Sequence, residues 1–465
     1  MSPTEVEAQP TSLYEKRKKI QIRSVTGVFA NWRWIMVWVT QLVFYGLCWL
    51  PWNDRQAVLF DLVERKFYIF GLVLWPQDVF YLAILLIISA YGLFLFTAIG
   101  GRLFCGYACP QTVYTEIFMW IEQKIEGNRN ARIKLDSQPM SGRKFGIKLA
   151  KHAAWIALAL WTGFTFAGYF TPVKTLAHDL VANNLGPWQT FWVFFYAFAT
   201  YGMAGFMREQ VCKYMCPYAR FQSVMFDPDT LIVTYDEKRG EPRGSRSSKE
   251  DYKAAGKGDC VDCGVCVQVC PTGIDIRHGL QYECIGCSAC IDGCDQVMDK
   301  LGYPRGLIRY STERAIQNNW STKQIIRHVF RPRIFLYASI LVLITLAAAW
   351  AIGSRLPLKM DVIRDRSTLA REVEDGLIEN IYTLRIMNTD EKPHTYHLSV
   401  SGLPSLTLGT ASEIKVPAAS TQSITASLRV LPESDKKGSQ PVFFDIVDLD
   451  DANVKLHEKA AFFLP

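Results

Sequence analysis

The chain has 465 residues, of which 49% are hydrophobic and 20% charged, and its formal net charge is +7. This length is large for one domain and predicts several. The apolar composition argues against a purely soluble protein, and the modest net charge gives no reason to expect nucleic acid as a partner.

Five apolar stretches approach or reach the roughly 20 residues that a helix needs to cross a bilayer. Aromatic residues at the ends of the first and third stretches would extend them to the membrane interfaces. Helices buried in a large soluble core are the alternative, but the stretches contain almost no charge. The sequence therefore predicts five transmembrane helices, at about Trp34–Leu50, Val79–Ile99, Ala153–Phe170, Trp188–Met207 and Ile334–Ile352.

Lysine and arginine are concentrated in the N-terminal tail and in the loop near 100–152, whereas the loops after the first and third stretches carry few. The positive-inside rule then places the N-terminus and residues 208–332 in the cytoplasm, and the tail after Ile352 outside. In a bacterium this describes a multi-pass inner-membrane protein with a periplasmic tail. Twelve of the thirteen cysteines fall on the cytoplasmic side, where thiols stay reduced.

These features divide the chain into five parts. They are a basic arm, predicted to be flexible, at 1–33; a four-span α-helical membrane domain at 34–207; a cytoplasmic ferredoxin-like domain with its linker at 208–332; a fifth transmembrane helix at 333–352; and a periplasmic domain at 353–465. Within the linker, the polar stretch Lys238–Lys257 predicts a surface loop.

The last part contains short apolar and β-branched runs separated by turn residues, which predict an all-β antiparallel sandwich. The runs are Ile378–Asn388, Thr395–Val400, Ser423–Leu431, Val442–Asp448 and Ala460–Leu464. His394 and His397 are three residues apart, so they would face opposite sides of a strand. We interpret both as ordinary surface residues.

Eight cysteines repeat one pattern, C-x2-C-x2-C-x3-C, which is the ligand spacing of a bacterial two-cluster ferredoxin. Three thiolates of each run would hold one [4Fe–4S] cluster, and the fourth would bind the other cluster. The tandem spacing, with Pro271 after the first run, argues against zinc sites or a disulfide scaffold. The predicted ligand sets are Cys260, Cys263, Cys266 and Cys294 for one cluster, and Cys284, Cys287, Cys290 and Cys270 for the other.

A second pattern, C-x-Y-x-C-P, follows the second and fourth apolar stretches and indicates an internal duplication. It brings four thiols to one membrane face: Cys105, Cys109, Cys212 and Cys216. Cysteines four apart would share one face of a helix. The prolines suit the first turn of a new helix, which would place Cys109 and Cys216 at helix N-termini. With Arg102, Lys213 and Arg220 nearby, we expect the thiolate to be favoured.

Three interpretations of these four thiols stay open. They could hold a soft metal ion such as Cu(I), because soft ligands select soft ions. They could form a redox pair of dithiol and disulfide. They could also be structural, since cysteine often behaves as a small buried hydrophobic residue.

The segment Gly101–Val113, which contains Cys105 and Cys109, is similar to the membrane signature of the cytochrome oxidase accessory protein family called CcoG, FixG or RdxA. Asp227–Val233 and Arg239–Arg243 resemble further segments of that family. With the tandem cysteine runs, the resemblance covers essentially the whole chain. It implies five spans, a C-terminal immunoglobulin-like domain, and a role in assembling a haem–copper cytochrome c oxidase. It also implies reduction of Cu(II) to Cu(I), with copper as the substrate.

We therefore expect an oxidoreductase of the cupric reductase type, in which two [4Fe–4S] clusters deliver electrons to Cu(II) beside the catalytic thiols Cys105, Cys109, Cys212 and Cys216. Expected partners are membrane lipid, an electron donor that the sequence does not name, oxidase assembly factors, and a copper exporter or chaperone. Two other classes of protein compete with this hypothesis. One is a quinol-oxidising electron-transfer subunit of a respiratory chain, and the other is a non-catalytic scaffold for oxidase assembly.

Overall fold

The computed structural model describes residues 19–246, 252–365, 370–373, 376–431 and 437–465. Its contacts divide the chain into two compact units. The first comprises Met1–Leu47, Ile87–Ala167 and Asp179–Leu341, and the second comprises Cys48–Leu86, Gly168–His178 and Val342–Pro465. Residues 1–18 of the predicted arm and residues 247–251 of the predicted surface loop lie outside the described part.

The α-helices, in chain order, are α1 Val28–Leu47, α2 Val79–Gly100, α3 Leu103–Tyr107, α4 Pro110–Glu126, α5 Arg129–Ser137, α6 Gly142–Ala167, α7 Val173–Val181, α8 Pro187–Thr200, α9 Pro217–Met225, α10 Glu237–Gly240, α11 Val265–Gln268, α12 Ala289–Leu301, α13 Glu313–Gln317, α14 Thr322–Val329 and α15 Pro332–Gly353. The strands are β1 Pro51–Trp52, β2 Arg55–Gln56, β3 Val58–Asp61, β4 Lys66–Ile69, β5 Leu72–Leu74, β6 Ile232–Tyr235, β7 Ile308–Ser311, β8 Leu358–Arg364, β9 Arg371–Glu372, β10 Ile378–Asn388, β11 His394–Ser401, β12 Thr407–Leu408, β13 Glu413–Val416, β14 Thr421–Val430, β15 Gly438–Asp448 and β16 Lys455–Leu464. Short 3₁₀ turns occupy Pro76–Asp78 and Ile276–His278, and π-helical segments occupy Tyr201–Met207 and Val211–Met215.

Among the described residues, three helices are long and apolar enough to cross a membrane: Pro76–Gly100, Pro187–Met207 and Pro332–Gly353. They contain the second, fourth and fifth predicted spans. The first and third predicted spans fall mainly on α1 and α6, which are helical but carry charged residues such as Arg33 and Lys151. Three apolar helices are thus compatible with a membrane protein, and the number of five spans stays a prediction.

Most of the chain predicted to lie outside the cytoplasm belongs to the second unit. This part comprises the loop after the first predicted span, the tail after the fifth, and the loop after the third as far as His178, whereas the rest of that loop belongs to the first unit. The segments predicted to be cytoplasmic belong to the first unit. The boundaries between the units fall at the ends of α1 and α6 and within α2, α7 and α15. The predicted topology and its orientation stay predictions.

In the first unit, α6 and α8 approach closely because Gly163 has no side chain. A Cβ atom at Gly163 would lie 2.1 Å from the carbonyl oxygen of Val193, a contact that only glycine permits. On the same helix α6, Trp155 is 2% exposed and stacks on Phe118 of α4, with ring centroids 5.2 Å apart. These contacts hold α4, the helix that follows the first pair of membrane-side cysteines.

A pair of strands closes the cysteine-rich segment of the first unit. β6 and β7 are antiparallel, with Ile232 opposite Ser311 and Tyr235 opposite Ile308. Together with α12 and the cysteine loops they form one hydrophobic core, whose buried members are Val233, Tyr235, Cys260, Cys266, Ile276, Ile291, Met298, Leu307 and Ile308. Two of these members are cysteines, so the stability of the core depends on what their thiols bind.

The second unit contains an antiparallel β-sandwich. One sheet has the strand order β12-β14-β10-β8, with β9 paired to β10, and the other has the order β13-β11-β15-β16. Tyr382, Tyr396, Phe444 and Phe462 are fully buried in the core that the two sheets share. The predicted sandwich is confirmed.

The two histidines of strand β11 differ from what the sequence predicts. They face opposite sides, as expected, and His397 is exposed. The interpretation of His394 as a surface residue is wrong, because its side chain is only 14% exposed. The strand turns His394 toward the acidic residues at the end of β15.

The segment between the first two predicted spans contains a small sheet, β3-β4-β5, that the sequence analysis missed. It belongs to the same compact unit as the sandwich. The Arg55 guanidinium pairs with Glu391, and the buried Asp78 carboxylate accepts a hydrogen bond from Arg355 at 2.9 Å. These ion pairs bind the segment to the residues around the sandwich.

Candidate iron–sulfur and thiol sites

The two ferredoxin-type cysteine runs form loops with the same backbone. In each run the residue before the second cysteine is left-handed: Asp262 has φ 53° and Gly286 has φ 66°. The residue after the second cysteine is left-handed too: Gly264 has φ 63° and Ser288 has φ 60°. Turns of this kind direct successive peptide N–H groups into a concavity that favours an anion. Both loops therefore suit an iron–sulfur cluster with its negatively charged thiolates.

The structure sorts the eight cysteines into two groups. One small space is lined by Cys260, Cys263, Cys266 and Cys294. A second is lined by Cys270, Cys284, Cys287 and Cys290, and also by Cys266. These are the two sets of four that the spacing predicts, with Cys270 and Cys294 exchanged between the runs. The donor sets fit two [4Fe–4S] clusters, and the assignment of each ligand stays a prediction.

Burial raises the pKa of three cysteines of the second set, Cys284, Cys287 and Cys290, while they are free thiols. It raises the pKa of Cys284 to about 11 and that of Cys287 to about 12. A hydrogen bond from the N–H of Gly286 to Cys284, and the charge of Arg33 near Cys287, act in the opposite direction. Cluster binding by these residues is therefore coupled to the release of protons.

The prolines of the second cysteine pattern begin helices, as predicted. Pro110 is the first residue of α4 and Pro217 the first residue of α9, and Cys109 and Cys216 are their N-caps. Each cysteine pair would share one helix face only if its segment were helical throughout, and this condition is not met, because both capping cysteines have extended backbone. Cys105 lies in α3, which ends before Cys109.

The four membrane-side thiols lie near enough to affect one another's ionisation. Cys105 interacts electrostatically with Cys109 and Cys212, and Cys216 interacts with both Cys109 and Cys212. Burial raises the pKa of Cys105 to about 12 and that of Cys212 to about 11, and the charge of Arg102 offsets this only in part. Burial also raises the pKa of Cys109 despite the N–H groups of the first turn of α4. The expectation that these thiols are ionised on their own is therefore wrong for these three cysteines.

The first thiol loop packs directly on the loop of the second cluster set. A Cβ atom at Gly106 would lie 2.9 Å from the Cα and N atoms of Cys287 and from the carbonyl carbon of Gly286. Cys105 and Cys212 share one apolar group with Cys287. The two kinds of cysteine site are thus neighbours within one compact unit, although the sequence separates them widely.

Tyrosines join the two loops at this contact. The Tyr310 hydroxyl donates a hydrogen bond to the carbonyl oxygen of Gly286 at 2.8 Å. The Tyr107 hydroxyl is hydrogen-bonded to Ser288 and Tyr310. Tyr214, the counterpart of Tyr107 in the second copy of the pattern, is 65% exposed. The duplicated pattern is therefore used asymmetrically, with its first copy bound to the ferredoxin loop.

The first turn of α1 is bound to the ferredoxin helix α12. The Asp292 carboxylate accepts hydrogen bonds from the backbone N–H of Ala30 at 2.7 Å and of Phe29 at 3.3 Å. Gly27 makes room for this carboxylate, because a Cβ atom there would lie 2.3 Å from Cγ of Asp292. One helical turn further on, Arg33 donates to the carbonyl oxygen of Cys287 at 2.7 Å. Sequence reasoning missed Asp292 as a helix cap because its partners are distant in sequence.

The described part of the predicted basic arm is bound rather than flexible. The backbone N–H of Arg23 donates to the carbonyl oxygen of Gln268 at 2.8 Å. Arg129 donates to the carbonyl oxygen of Gln21 at 2.8 Å. The prediction of a flexible arm is therefore wrong for residues 19–27, which run between α5 and the cysteine loops.

A cavity of about 120 Å³ lies beside both kinds of cysteine. Cys212 and Cys287 contribute to its wall, so one small molecule inside it would be near a membrane-side thiol and a cluster ligand. Trp34 and Trp120 provide aromatic surface, and their rings meet edge to face at 6.2 Å. The charged lining residues are Arg23, Arg33, Glu116, Arg132, Arg208 and Glu209.

A buried ionic network supports α4 next to this cavity. The Glu122 side chain is fully buried and accepts hydrogen bonds from Arg208 at 2.8 Å and from Arg132 at 3.3 Å. Burial alone would raise the pKa of Glu122, but Arg208, Lys19 and Lys151 lower it to about 2. The carboxylate is thus ionised and compensates several buried cations.

Comparison with known families matches three parts of the chain. A 4Fe-4S dicluster domain matches residues 207–313, a 4Fe-4S binding domain matches residues 82–128, and the IG-like fold at the C-terminus of FixG matches residues 348–465. The second of these matched segments contains Cys105 and Cys109.

Curated relatives match most of the chain. Nitrogen fixation protein FixG of Rhizobium meliloti is 40% identical over an alignment of 432 residues that covers 86% of this chain and 82% of that protein. Protein RdxB of Cereibacter sphaeroides is 40% identical over an alignment of 427 residues that covers 89% of each chain. Ferredoxin-type protein NapH of Escherichia coli is 20% identical over an alignment of 268 residues that covers 53% of this chain and 82% of that protein.

Apolar helices, paired cysteine loops and a dicluster domain together define a membrane-associated electron-transfer protein of the 4Fe–4S ferredoxin type. The identity to FixG and RdxB extends over most of all three chains. The protein therefore belongs to the FixG/RdxA family, whose C-terminal immunoglobulin-like domain it also carries.

Proposed function

We propose that this protein is a cupric reductase that reduces Cu(II) to Cu(I) at Cys105, Cys109, Cys212 and Cys216. The observation that carries the proposal is the packing of Cys105 and Cys212 against the apolar group that contains Cys287, in the loop of the second cluster set. Copper is here the substrate and not a resident cofactor. [4Fe–4S] clusters held by the eight ferredoxin-type cysteines would supply one-electron redox chemistry.

The thiol site contributes to the reaction through its softness. Each Cu(II) ion takes up one electron and becomes Cu(I), and thiolate ligands stabilise the softer, reduced ion. Because burial raises the pKa of Cys105 and Cys212, metal binding there releases protons. Thr112 donates a hydrogen bond to the carbonyl oxygen of Cys105 at 2.6 Å, and the Cys105 thiol contacts Gln222 at 3.4 Å. These contacts hold the Cys105 loop in place.

In this proposal the reduction takes place on the cytoplasmic side of the bacterial inner membrane. Cu(I) then leaves for a copper exporter or chaperone and serves the assembly of a haem–copper cytochrome c oxidase. Oxidase assembly factors are the proposed partners. Membership of the FixG/RdxA family supports this role, as does the grouping of the predicted cytoplasmic segments in one compact unit.

Replacement of all four membrane-side cysteines by serine tests the proposal. The purified protein is reduced, mixed with Cu(II), and assayed for Cu(I) with a Cu(I)-selective chromophoric chelator. We expect the variant to lose cupric reduction while its cluster absorbance and its iron and sulfide contents stay those of the unmodified protein. The control is Cys48→Ala, which removes a buried cysteine outside both sites. Full reductase activity in the four-cysteine variant would refute the assignment.

Quinol oxidation is a second candidate function, and the cavity beside Cys212 and Cys287 favours it. A quinol loses two electrons and two protons on oxidation. The tryptophan pair provides aromatic surface for its ring, and the Glu116 and Glu209 carboxylates could accept the protons. The same preparations distinguish the two functions. Bleaching of the cluster absorbance by a soluble quinol that persists in the four-cysteine variant would favour quinol oxidation.

A further inference from the structure

Acidic residues surround a half-buried histidine at one end of the β-sandwich, remote in sequence from every cysteine. His394 begins β11, and Asp448 ends β15. Tyr396 lies opposite Asp448 in the paired strands, and His394 is two residues before Tyr396. Side chains two residues apart lie on the same face of a strand, so all three point into one region.

The His394 and Asp448 side chains leave two buried polar atoms close together without a hydrogen bond. Nδ1 of His394 lies 2.6 Å from Oδ2 of Asp448. Both atoms are buried and neither makes a hydrogen bond. The Asp448 side chain is fully buried. A carboxylate oxygen buried in this way is costly unless a cation or a donor compensates it.

The other ring nitrogen of His394 has a partner that determines its chemistry. Nε2 lies 3.2 Å from Oδ2 of Asp390 and is hydrogen-bonded to it. The carboxylate can only accept, so the imidazole carries its proton on Nε2. In the neutral ring, Nδ1 is then a lone-pair donor that faces the Asp448 oxygen. A carboxylate that holds a histidine through its far nitrogen is a common feature of metal-binding histidines.

Asp450 completes the group on the solvent side. Its side chain is exposed, and its carboxylate lies within 4.8 Å of the ligand atoms of both His394 and Asp448. Its backbone N–H donates to Oδ1 of Asp448 at 2.9 Å, which leaves Oδ2 for another partner. The hydroxyl of Tyr396 is also buried without a hydrogen bond. Lone pairs from three side chains therefore converge, and among the described residues no donor is hydrogen-bonded to Nδ1 of His394 or Oδ2 of Asp448.

We propose that His394, Asp448 and Asp450 bind a divalent transition-metal ion of the Zn²⁺ or Cu²⁺ class. One imidazole nitrogen with carboxylate oxygens suits these ions, whereas Ca²⁺ and Mg²⁺ prefer oxygen ligands throughout and Cu(I) prefers sulfur. Asp390 positions the imidazole. The site is independent of the proposed cupric reduction, because it lies in the other compact unit and contains no thiol.

Equilibrium dialysis of the purified full-length protein against Zn²⁺, followed by elemental analysis, tests the site. The variants are Asp450→Asn, whose side chain is exposed and which should fold normally, and His394→Gln. His397→Gln is the matched control, because it removes an exposed histidine of the same strand. We expect both site variants to bind one Zn²⁺ fewer per chain than the unmodified protein and His397→Gln, or to bind it about 10- to 100-fold more weakly.

Electron paramagnetic resonance with Cu²⁺ provides the second measurement. We expect nitrogen hyperfine coupling from one imidazole in the unmodified protein and in His397→Gln, and its loss in His394→Gln. Thermal unfolding shows whether each variant is folded. If His394→Gln does not fold, the Zn²⁺ content of Asp450→Asn decides whether the site binds metal. The proposal would be overturned if Asp450→Asn bound as much Zn²⁺ as the control His397→Gln and if the Cu²⁺ spectrum of each folded site variant were that of the unmodified protein.

Discussion

The contact between Gly106 and the backbone of Cys287 allows the proposed electron path to be tested without changing any cysteine. A methyl group at Gly106 would lie 2.9 Å from two backbone atoms of Cys287, where ordinary contacts begin at 3.4 Å. The Gly106→Ala variant must therefore move the two loops apart by about 0.5 Å, the difference between these distances. Overpacking of this kind costs about 1–3 kcal/mol. The equilibrium constant for docking of the two loops should therefore fall by about 5- to 150-fold, since about 1.4 kcal/mol corresponds to a tenfold change in an equilibrium constant.

The assay is the rate of Cu(I) formation in a single turnover of pre-reduced protein, normalised to cluster absorbance. We expect Gly106→Ala to slow this rate while all twelve ligand cysteines and the cluster contents stay intact. Gly146→Ala is the matched control, because a Cβ atom there meets nothing within 4 Å and Gly146 also lies in a helix. It should be neutral or slightly stabilising. Identical rates in the two variants would show that the contact plays no part in the reaction.

Two further predictions concern the ionic network and the ligand sets. Glu122→Gln leaves buried cations uncompensated and should destabilise the protein by about 3–5 kcal/mol, measured by denaturant unfolding against the exposed control Glu64→Gln. The folded-state pKa of Glu122 is lowered from 4.5 to about 2. The contribution of the Glu122 carboxylate to the free energy of unfolding is therefore complete above pH about 4.5 and is lost as the pH falls toward 2. If the difference in unfolding free energy between Glu122→Gln and Glu64→Gln grew in this acid range, the assignment would be contradicted. Electron paramagnetic resonance records one signal for each of the two clusters. Cys270→Ser should alter the same signal as Cys284→Ser, and it should leave unchanged the signal that Cys263→Ser alters. The opposite pattern would show that ligands are not exchanged between the runs.

Local patterns in the sequence predicted the features whose causes are local. The spacing of the cysteine runs limits which thiols one loop can present, and the structure groups them accordingly. The prolines after Cys109 and Cys216 start helices because their fixed backbone angle suits a first turn. The apolar and β-branched runs of the C-terminal part became strands, and Ile378–Asn388 has the predicted bounds.

Features that depend on distant partners could not be predicted. Burial of Cys105 follows from its packing against the cysteine loops, so its raised pKa was missed when only the neighbouring cations were considered. Alternation along β11 showed that His394 and His397 face opposite sides, but which side is buried depends on the register between β11 and β15. Nothing near His394 in sequence indicates that Asp448 faces it.

The attachment of α1 to Asp292 has a consequence for the order in which the protein matures. The first turn of α1 leaves the ribosome long before residue 292, yet two of its N–H groups donate hydrogen bonds to that carboxylate. Unpaired donors at a helix start are costly when buried, and α12, which carries Asp292, also carries Cys290 and Cys294. The start of the earliest helix is therefore complete only when α12, with its two cysteines, is in place, so the two ends of the first unit mature together.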